Sequence, residues 1–253
     1  MSFRADFASA RVRSSPNCGP RKLSAGPDIL LLHYTGMGSG QEAEAWLCHP
    51  ESNVSCHYIV HENGTVVQMV PESMRAWHAG ASCWEGERDI NSRSIGIEIV
   101  NGGHPAGLPP YPDHQIDVVI ELAQDIIGRN DIRPHHVLGH SDVAPGRKID
   151  PGERFPWKRL AENDVGLFDN TGAPDGSFVA APGTRGRPVE ALQALLSFYG
   201  YDVAITGEYD ESTRLVVESF QRHYRQDCVD GIVDRHTLER LHRLSSKVKI
   251  SGA

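Results

Sequence analysis

The chain has 253 residues, of which 39% are apolar and 23% are charged, a composition typical of one large folded domain or two smaller ones. Its formal net charge of −8 argues against a general nucleic-acid binder, which needs basic patches to replace phosphate counterions. An acidic surface also disfavours binding to an anionic membrane.

No run of residues approaches the roughly 20 apolar residues of a transmembrane helix. The N-terminal extension, residues 1–22, is basic and has no apolar centre, so it does not resemble a secretory signal peptide. These features predict a cytoplasmic location, with the periplasm or cell envelope as the alternative. The five cysteines are irregularly spaced and are expected to be reduced thiols, although a Cys48–Cys83 or Cys56–Cys83 bridge stays open.

The first elements of the chain begin after the extension. Segment 27–33 contains four consecutive aliphatic residues and predicts a strand buried on both faces. Residues 40–48 have helical character, with Trp46 and Leu47 expected as core contacts.

Further strands and a long helix follow. Asn63-Gly64 lies between two β-rich runs and predicts a hairpin, because a type I′ turn needs positive φ at both central positions. In segment 94–100 the isoleucines share one face and Glu98 lies on the other. Residues 114–128 have helical periodicity, and 136–140 form a short strand. Residues 23–168 are therefore predicted to form one α/β domain with a mixed central sheet flanked by helices.

The composition changes near residue 165. Residues 169–187 are rich in Gly, Ala and Pro and are typical of a linker. Three helical patterns fill residues 188–245 and predict a small all-α domain, followed by a tail at 246–253. If the linker separates two cores, the first domain should fold alone.

Three polar residues lie where a metalloenzyme needs them. His33 ends one buried strand, His140 ends another, and Asp150 follows ten residues later in an Asp-Pro-Gly turn. Two imidazoles and one carboxylate leave a fourth tetrahedral position open, as in catalytic zinc sites. Spacing alone is weak evidence, because a histidine at a strand end is more often an ordinary polar residue.

The motifs around these residues are more specific, and they occur in a fixed order over residues 23–165. The sequence resembles the zinc-dependent, type-2 N-acetylmuramoyl-L-alanine amidases, and most of all the bacterial members whose third ligand is Asp rather than Cys. The motifs that carry this resemblance are His33-Tyr34-Thr35-Gly36, Ser55-Cys56-His57-Tyr58, Ala76-Trp77-His78-Ala79-Gly80, Asn91-Ser92-Arg93-Ser94-Ile95-Gly96-Ile97-Glu98, and Gly139-His140-Ser141-Asp142 through Asp150-Pro151-Gly152.

The resemblance implies a role for each matching residue. His33, His140 and Asp150 would bind one zinc ion per chain. Glu98 would be the general base that takes a proton from the attacking water and returns it to the leaving L-alanine nitrogen. Lys148 would stabilise the oxyanion.

The same resemblance implies substrate contacts. His57, His78 and Asn101 match positions that line the cleft of the family. The reaction implied is hydrolysis of the amide between the lactyl group of (anhydro-)N-acetylmuramic acid and L-alanine. Peptidoglycan or muropeptide fragments are then the binding partners.

Residues 188–245 resemble the type-1 peptidoglycan-binding domain, through features such as Gly200-Tyr201, Phe220-Gln221 and Asp230-Gly231. A tethered module of this kind is expected to help mainly with polymeric murein. The alternative function is a non-catalytic peptidoglycan-recognition protein. The retained ligand set and Glu98 argue against it.

Overall fold

The computed structural model describes residues 3–23, 26–172 and 177–248. Within these ranges it has ten strands, eight α-helices and three short 3-10 turns. The strands are β1 (Arg11–Val12), β2 (Cys18–Pro20), β3 (Ile29–Tyr34), β4 (Tyr58–Val60), β5 (Val66–Gln68), β6 (Met74–Ala76), β7 (Ser94–Ile99), β8 (Val137–Gly139), β9 (Phe178–Ala180) and β10 (Val233–Asp234). The helices are α1 (Gly40–Leu47), α2 (Ile90–Arg93), α3 (Asp113–Asn130), α4 (His140–Val143), α5 (Trp157–Ala161), α6 (Arg187–Tyr199), α7 (Glu211–Tyr224) and α8 (Arg235–Ser245), and the 3-10 turns are Pro50–Ser52, His104–Ala106 and Pro134–His136.

A six-stranded mixed sheet forms the centre of the first domain, in the order β1-β5-β4-β7-β3-β8. Strands β4, β7, β3 and β8 run parallel, and β4 and β5 form the antiparallel hairpin predicted around Asn63-Gly64. The predicted mixed sheet flanked by helices is confirmed. Its parallel centre matters for function, because the carboxyl ends of these strands meet at one edge, where ligands bind in α/β folds.

Strand β3 is buried on both faces, as predicted, and each face has a different cover. Leu30 and Leu32 share a core with the isoleucines of β7 and the apolar side of α3. Ile29 and Leu31 belong to another core that also contains side chains of the C-terminal domain, including Tyr199 and Phe220. The sheet therefore has its long helix on one side and part of the C-terminal domain on the other.

The C-terminal domain contains the three predicted helices, α6, α7 and α8, and a two-stranded antiparallel pair of β9 and β10 accompanies them. Strand β9 lies inside the predicted linker 169–187, so the linker boundary is wrong at its C-terminal side. Its pairing with β10 supplies backbone hydrogen bonds that the Gly- and Pro-rich composition did not indicate. Residues 173–176 of that linker, and 249–253 of the predicted tail, lie outside the described residues.

The predicted N-terminal extension is also part of the fold. Strand β1 pairs with β5 at the edge of the main sheet, and β2 pairs with β6. Arg21 donates hydrogen bonds to the carbonyls of Glu72, Ser92 and Ser94, which attaches the end of the extension to the sheet. Of the predicted extension 1–22, the described residues 3–22 are therefore not a separate segment before the domain.

All five cysteines lie in the described ranges and are free thiols. Among the described helices, none combines the length and the apolar character that crossing a membrane requires.

Candidate active site

The strands of the parallel centre bring together residues that are far apart in sequence. His33 lies near the carboxyl end of β3, and its Cα partner on the neighbouring strand β7 is Glu98. On the other side of β3, Leu32 pairs with Gly139 of β8, and His140 follows directly as the first residue of α4. Parallel pairing thus places His33, Glu98 and His140 at one edge of the sheet.

Asp150 reaches this edge through the loop after α4. Its backbone carbonyl accepts a hydrogen bond from the Ser141 N–H, at 3.0 Å. Its Oδ2 lies 3.0 Å from His33 Nδ1 and 3.1 Å from His140 Nδ1, and these two ring nitrogens are 2.9 Å apart. All three residues are buried, and the three ligand atoms lie close enough together to hold one metal ion.

The proton positions on the histidine rings follow from their neighbours. His140 Nε2 lies 2.9 Å from the Ala79 carbonyl oxygen, which can only accept, so Nε2 carries the proton. In a neutral ring the other nitrogen, Nδ1, then has a free lone pair that faces His33 and Asp150. Arg147 supports the same carbonyl, because its Nη2 donates to Ala79 at 2.6 Å.

A chain of three hydrogen bonds orients His33. The Ser94 hydroxyl donates to the Ile90 carbonyl at 2.6 Å, so Ser94 Oγ accepts from His78 Nε2, at 3.3 Å. Burial and the nearby His33 ring lower the pKa of His78 well below its usual value, so this ring is neutral and its Nδ1 accepts. His33 Nε2 donates to it at 3.0 Å.

The three candidate ligand atoms face one another in a buried pocket, and their surroundings shift two of the pKa values. Burial and the neighbouring His140 lower the pKa of His33 to about 4, so this ring is neutral at pH 7. Burial alone would raise the pKa of the Asp150 carboxyl, but the His140 and His33 rings hold it well below its usual range. Two ring nitrogens and one carboxylate oxygen about 3 Å apart form a donor set that suits a cation.

Glu98 and Lys148 lie at the same cavity. Burial, together with the charge of Asp150, raises the pKa of the Glu98 carboxyl well above its usual value, and the positive charge of Lys148 opposes this rise. Glu98 Oε2 is buried and has no hydrogen-bond partner among the described residues. An unpaired buried carboxylate oxygen is costly, so its position beside the three ligands points to a chemical role.

The cavity beside these groups has a volume of about 400 Å³. Its polar lining residues include His33, His78, Glu98, His140, Lys148 and Asp150. Its apolar lining residues include Met37, Ala43, Trp46, Leu47, Val54 and Trp77.

Trp46 was expected in the core, and this is wrong. The residue is 48% exposed and lines the cavity. Helical periodicity indicates which residues share a face of α1, but it does not say whether that face meets the core or an open cleft. Tyr34 also lines this cavity. No role was predicted for it, although it lies inside the His-Tyr-Thr-Gly motif.

The predicted substrate contacts are placed differently from one another. The described residues that line the cavity include His78 but neither His57 nor Asn101. His57 Nδ1 accepts from the Gly96 N–H at 2.9 Å, and burial, with the charge of Arg21, lowers the pKa of His57 to about 3. Asn101 accepts from the Gly103 N–H and donates to the Pro109 carbonyl, so it fixes the loop after β7.

Comparison with known families shows which protein family has this fold and site. Residues 23–153 match the model of the N-acetylmuramoyl-L-alanine amidases, which is more than half of the chain. The chain belongs to this family. Residues 185–241 of the amidase match a peptidoglycan binding domain, so both resemblances seen in the sequence are confirmed.

Curated relatives agree with this assignment. The amidase is 38% identical over 223 residues to the N-acetylmuramoyl-L-alanine amidase AmiD of Escherichia coli K12, covering 83% of this chain and 79% of the relative. It is 33% identical over 168 residues to the 1,6-anhydro-N-acetylmuramyl-L-alanine amidase AmpD of Enterobacter cloacae, covering 60% of this chain and 88% of the relative. The protein is therefore an enzyme of the N-acetylmuramoyl-L-alanine amidase class.

Solved structures extend the similarity to the whole fold. The amidase superimposes on E. coli AmiD, solved with its substrate anhydro-N-acetylmuramic acid-L-Ala-D-γ-Glu-L-Lys, with a TM-score of 0.74 at 36% identity, covering 93% of each chain. It superimposes on Pseudomonas aeruginosa AmpDH3, in complex with anhydromuramic pentapeptide, with a TM-score of 0.73 at 30% identity, covering 97% of this chain and 99% of that one.

Proposed function

We propose that this amidase binds one zinc ion through His33, His140 and Asp150 and cleaves the lactyl-L-alanine amide of anhydro-muropeptides. The observation that carries the proposal is the convergence of His33 Nδ1, His140 Nδ1 and Asp150 Oδ2 within 3.1 Å of one another. Two imidazoles and one carboxylate suit zinc and leave a fourth position open. When bound, zinc supplies Lewis acidity that polarises the scissile carbonyl and acidifies water.

Glu98 is assigned the proton transfers. Its carboxylate accepts a proton from the attacking water and then donates that proton to the nitrogen of the departing L-alanine. The raised pKa of Glu98 suits the second step, because a carboxyl that holds its proton more firmly than usual survives until the amine leaves. A bound cation would oppose this rise and would keep the carboxylate ionised for the first step.

Lys148 is assigned the developing oxyanion. Its charge acts on both Glu98 and His33, which supports a position between the base and the ligands. A fixed ammonium beside the reacting carbonyl stabilises negative charge that exists only in the transition state. His78, which accepts from His33 Nε2, is assigned the orientation of that ligand.

The substrate class is inferred from the cavity and from the two relatives solved with anhydromuropeptides. The apolar lining residues Trp46 and Trp77 suit the faces of a sugar ring, and the polar lining residues suit the amide. A cytoplasmic location would be consistent with recycling of such fragments. That location stays a prediction, which cell fractionation tests.

A non-catalytic recognition protein needs residues that bind the substrate but no general base. The buried oxygen of Glu98, which has no partner among the described residues, favours the enzyme.

Metal removal tests the proposal. The purified protein should contain about one zinc per chain, and a chelator should abolish hydrolysis of an anhydro-muropeptide until zinc is returned. The His33→Ala, His140→Ala and Asp150→Ala variants should lose zinc and activity together. Full activity in protein that elemental analysis shows to be free of metal would refute the zinc mechanism.

A further inference from the structure

Asp142 lies two residues after the candidate ligand His140 and is fully buried. Its side chain accepts three hydrogen bonds, each 2.7 Å long. Oδ2 accepts from the Gly139 N–H and from His223 Nδ1, and Oδ1 accepts from the Tyr201 hydroxyl. A buried carboxylate is tolerated only when such donors replace water, so all three contacts matter.

Two of the three donors come from the C-terminal domain. Tyr201 follows α6, and His223 lies on α7. The third donor, Gly139, immediately precedes the short helix α4 that carries His140. The Asp142 carboxylate therefore joins the start of the ligand-bearing helix to the C-terminal domain.

The same domain holds the segment on the far side of Asp150. The Gln226 side-chain amide lies 2.6 Å from the carbonyl oxygens of both Glu153 and Phe155 and donates to them. The ring of His223 stacks on Trp157, with ring centroids 3.7 Å apart. Segment 139–157 contains His140, Lys148 and Asp150, and it is held by the C-terminal domain near both of its ends.

We propose that Tyr201, His223 and Gln226 are positioning residues for the metal site, so that the peptidoglycan-binding domain of this chain also holds the geometry of the catalytic loop. This inference rests on the proposed metal site. Helix α4 has only four residues, so it has few backbone hydrogen bonds of its own to fix His140. Side chains that do not bind the metal but hold its ligands in place commonly change metal affinity by 10- to 100-fold when they are removed.

The alternative is an interface that only adds stability, with a domain that serves only as a tether. Tyr201→Phe distinguishes the two, because it removes one hydroxyl and keeps the aromatic packing. Tyr209→Phe is a matched control. The Tyr209 hydroxyl is also buried and also makes a 2.7 Å hydrogen bond, but its acceptor is the Gly231 carbonyl inside the C-terminal domain.

The experiment uses the full-length chain at a temperature well below unfolding. Zinc dissociation constants are measured by competition with a chromophoric chelator, and amide hydrogen exchange is followed at Gly139 and Ser141. Tyr201→Phe should weaken zinc binding on the order of 10-fold and speed exchange at both amides, whereas Tyr209→Phe should change neither. Gln226→Ala, at a half-buried position, should act in the same direction as Tyr201→Phe and covers the case in which that variant does not fold.

The possible results distinguish a failure of the proposed metal site from a failure of the proposed positioning role. If wild-type protein takes up no zinc but Tyr201→Phe still speeds exchange at Gly139 and Ser141, the metal proposal fails and the positioning of the loop stands. If wild type binds zinc and both Tyr201→Phe and Gln226→Ala match it in affinity and exchange, the positioning role is refuted. Equal losses in Tyr201→Phe and Tyr209→Phe would also refute it, because they would indicate a general loss of stability.

Discussion

At the scale of single residues, Glu98 and Lys148 have chemical roles that can be separated from metal binding. Glu98→Gln keeps size and polarity but cannot accept a proton, so zinc should remain while kcat falls by about 10²–10⁴. Lys148→Ala should keep zinc and lower kcat on the order of 10²–10³, with a smaller change in KM, because the charge it stabilises develops in the transition state.

Zinc content and kcat measured on the same preparation of each variant check this prediction. Lys158→Ala is the matched control, since Lys158 is an exposed lysine that pairs with Glu162 on the surface. Turnover near that of wild type in Lys148→Ala would remove this residue from the mechanism, and the same result for Glu98→Gln would remove the general base.

We expect His78 to orient the candidate ligand His33 through the hydrogen bond between their rings. His78→Ala removes the acceptor for His33 Nε2 and should weaken zinc binding by about 10- to 100-fold. His78→Asn places an amide oxygen near the position of Nδ1 and should recover part of that affinity. Equal zinc affinity in His78→Ala and wild type, by chelator competition, would show that the contact does not orient His33. A substrate contact alone predicts a raised KM with unchanged metal binding.

The candidate site could be predicted from sequence as far as its motifs reach. His33, His140, Asp150, Glu98 and Lys148 all line one cavity, although they are spread over more than a hundred positions. The roles of the residues around the candidate ligands could not be predicted from sequence in the same way. His57 and His78 match family motifs equally well, and only three-dimensional contacts distinguish a ring that binds the Gly96 N–H from one that faces His33.

At the scale of elements, apolar patterns predicted the strands and the long helix but not what covers them. The aliphatic run of β3 correctly predicted burial on both faces. One face of β3 packs against the C-terminal domain. This packing joins segments more than a hundred residues apart, so no local sequence pattern predicts it. Strand β9 escaped prediction for a related reason, because its hydrogen bonds come from the distant β10.

An ion-paired cluster connects the elements around β3 and β8. Glu85 Oε2 lies 3.1 Å from both Arg93 Nη2 and His136 Nε2, and the backbone of His136 immediately precedes β8. Burial alone would raise the pKa of Glu85, but the nearby His135 ring and hydrogen bonds from His136 and Arg93 hold it far below its usual value. Burial likewise opposes protonation of His136, yet its bonds to Asp28 and Glu85 raise its pKa overall.

The sign of each shift predicts a pH window. Stabilisation through Glu85 is present above the unfolded-state pKa of about 4.3 and is lost as the pH falls below it. Stabilisation through His136 is present below about pH 6.5 and is lost as the pH rises through its higher folded pKa. Glu85→Gln should therefore destabilise the protein most near pH 6. The difference in free energy of unfolding between wild type and this variant should become smaller below about pH 4.

Urea unfolding of wild type and Glu85→Gln across this range measures the effect. Glu162→Gln, at an exposed position, should follow wild type at every pH. A destabilisation by Glu85→Gln that is as large at about pH 3 as at pH 6 would contradict the assignment of the effect to these ion pairs.

At the scale of the whole molecule, the linker composition suggested two independent cores, whereas the structure joins them. Ile29, Leu31 and Leu138 of the sheet are fully buried in one core with Tyr199 and Phe220 of the C-terminal domain. Fully burying one such aliphatic side chain stabilises a fold by about 1.5–3 kcal/mol. Removing the C-terminal domain should therefore cost much of the stability of the remainder, which in small domains totals only about 5–15 kcal/mol.

A chain of residues 1–172 tests this directly. It should unfold at a lower temperature than the full chain or aggregate, and it should lose zinc and activity on soluble anhydro-muropeptides as well as on polymeric murein. A tether alone predicts the opposite, because effective concentration matters only for a polymeric substrate. The interface is non-covalent, so residues 177–253 supplied as a separate chain should restore part of the activity. Cooperative unfolding of 1–172 like that of the full protein, with equal turnover of the soluble fragment, would show that the two domains are independent.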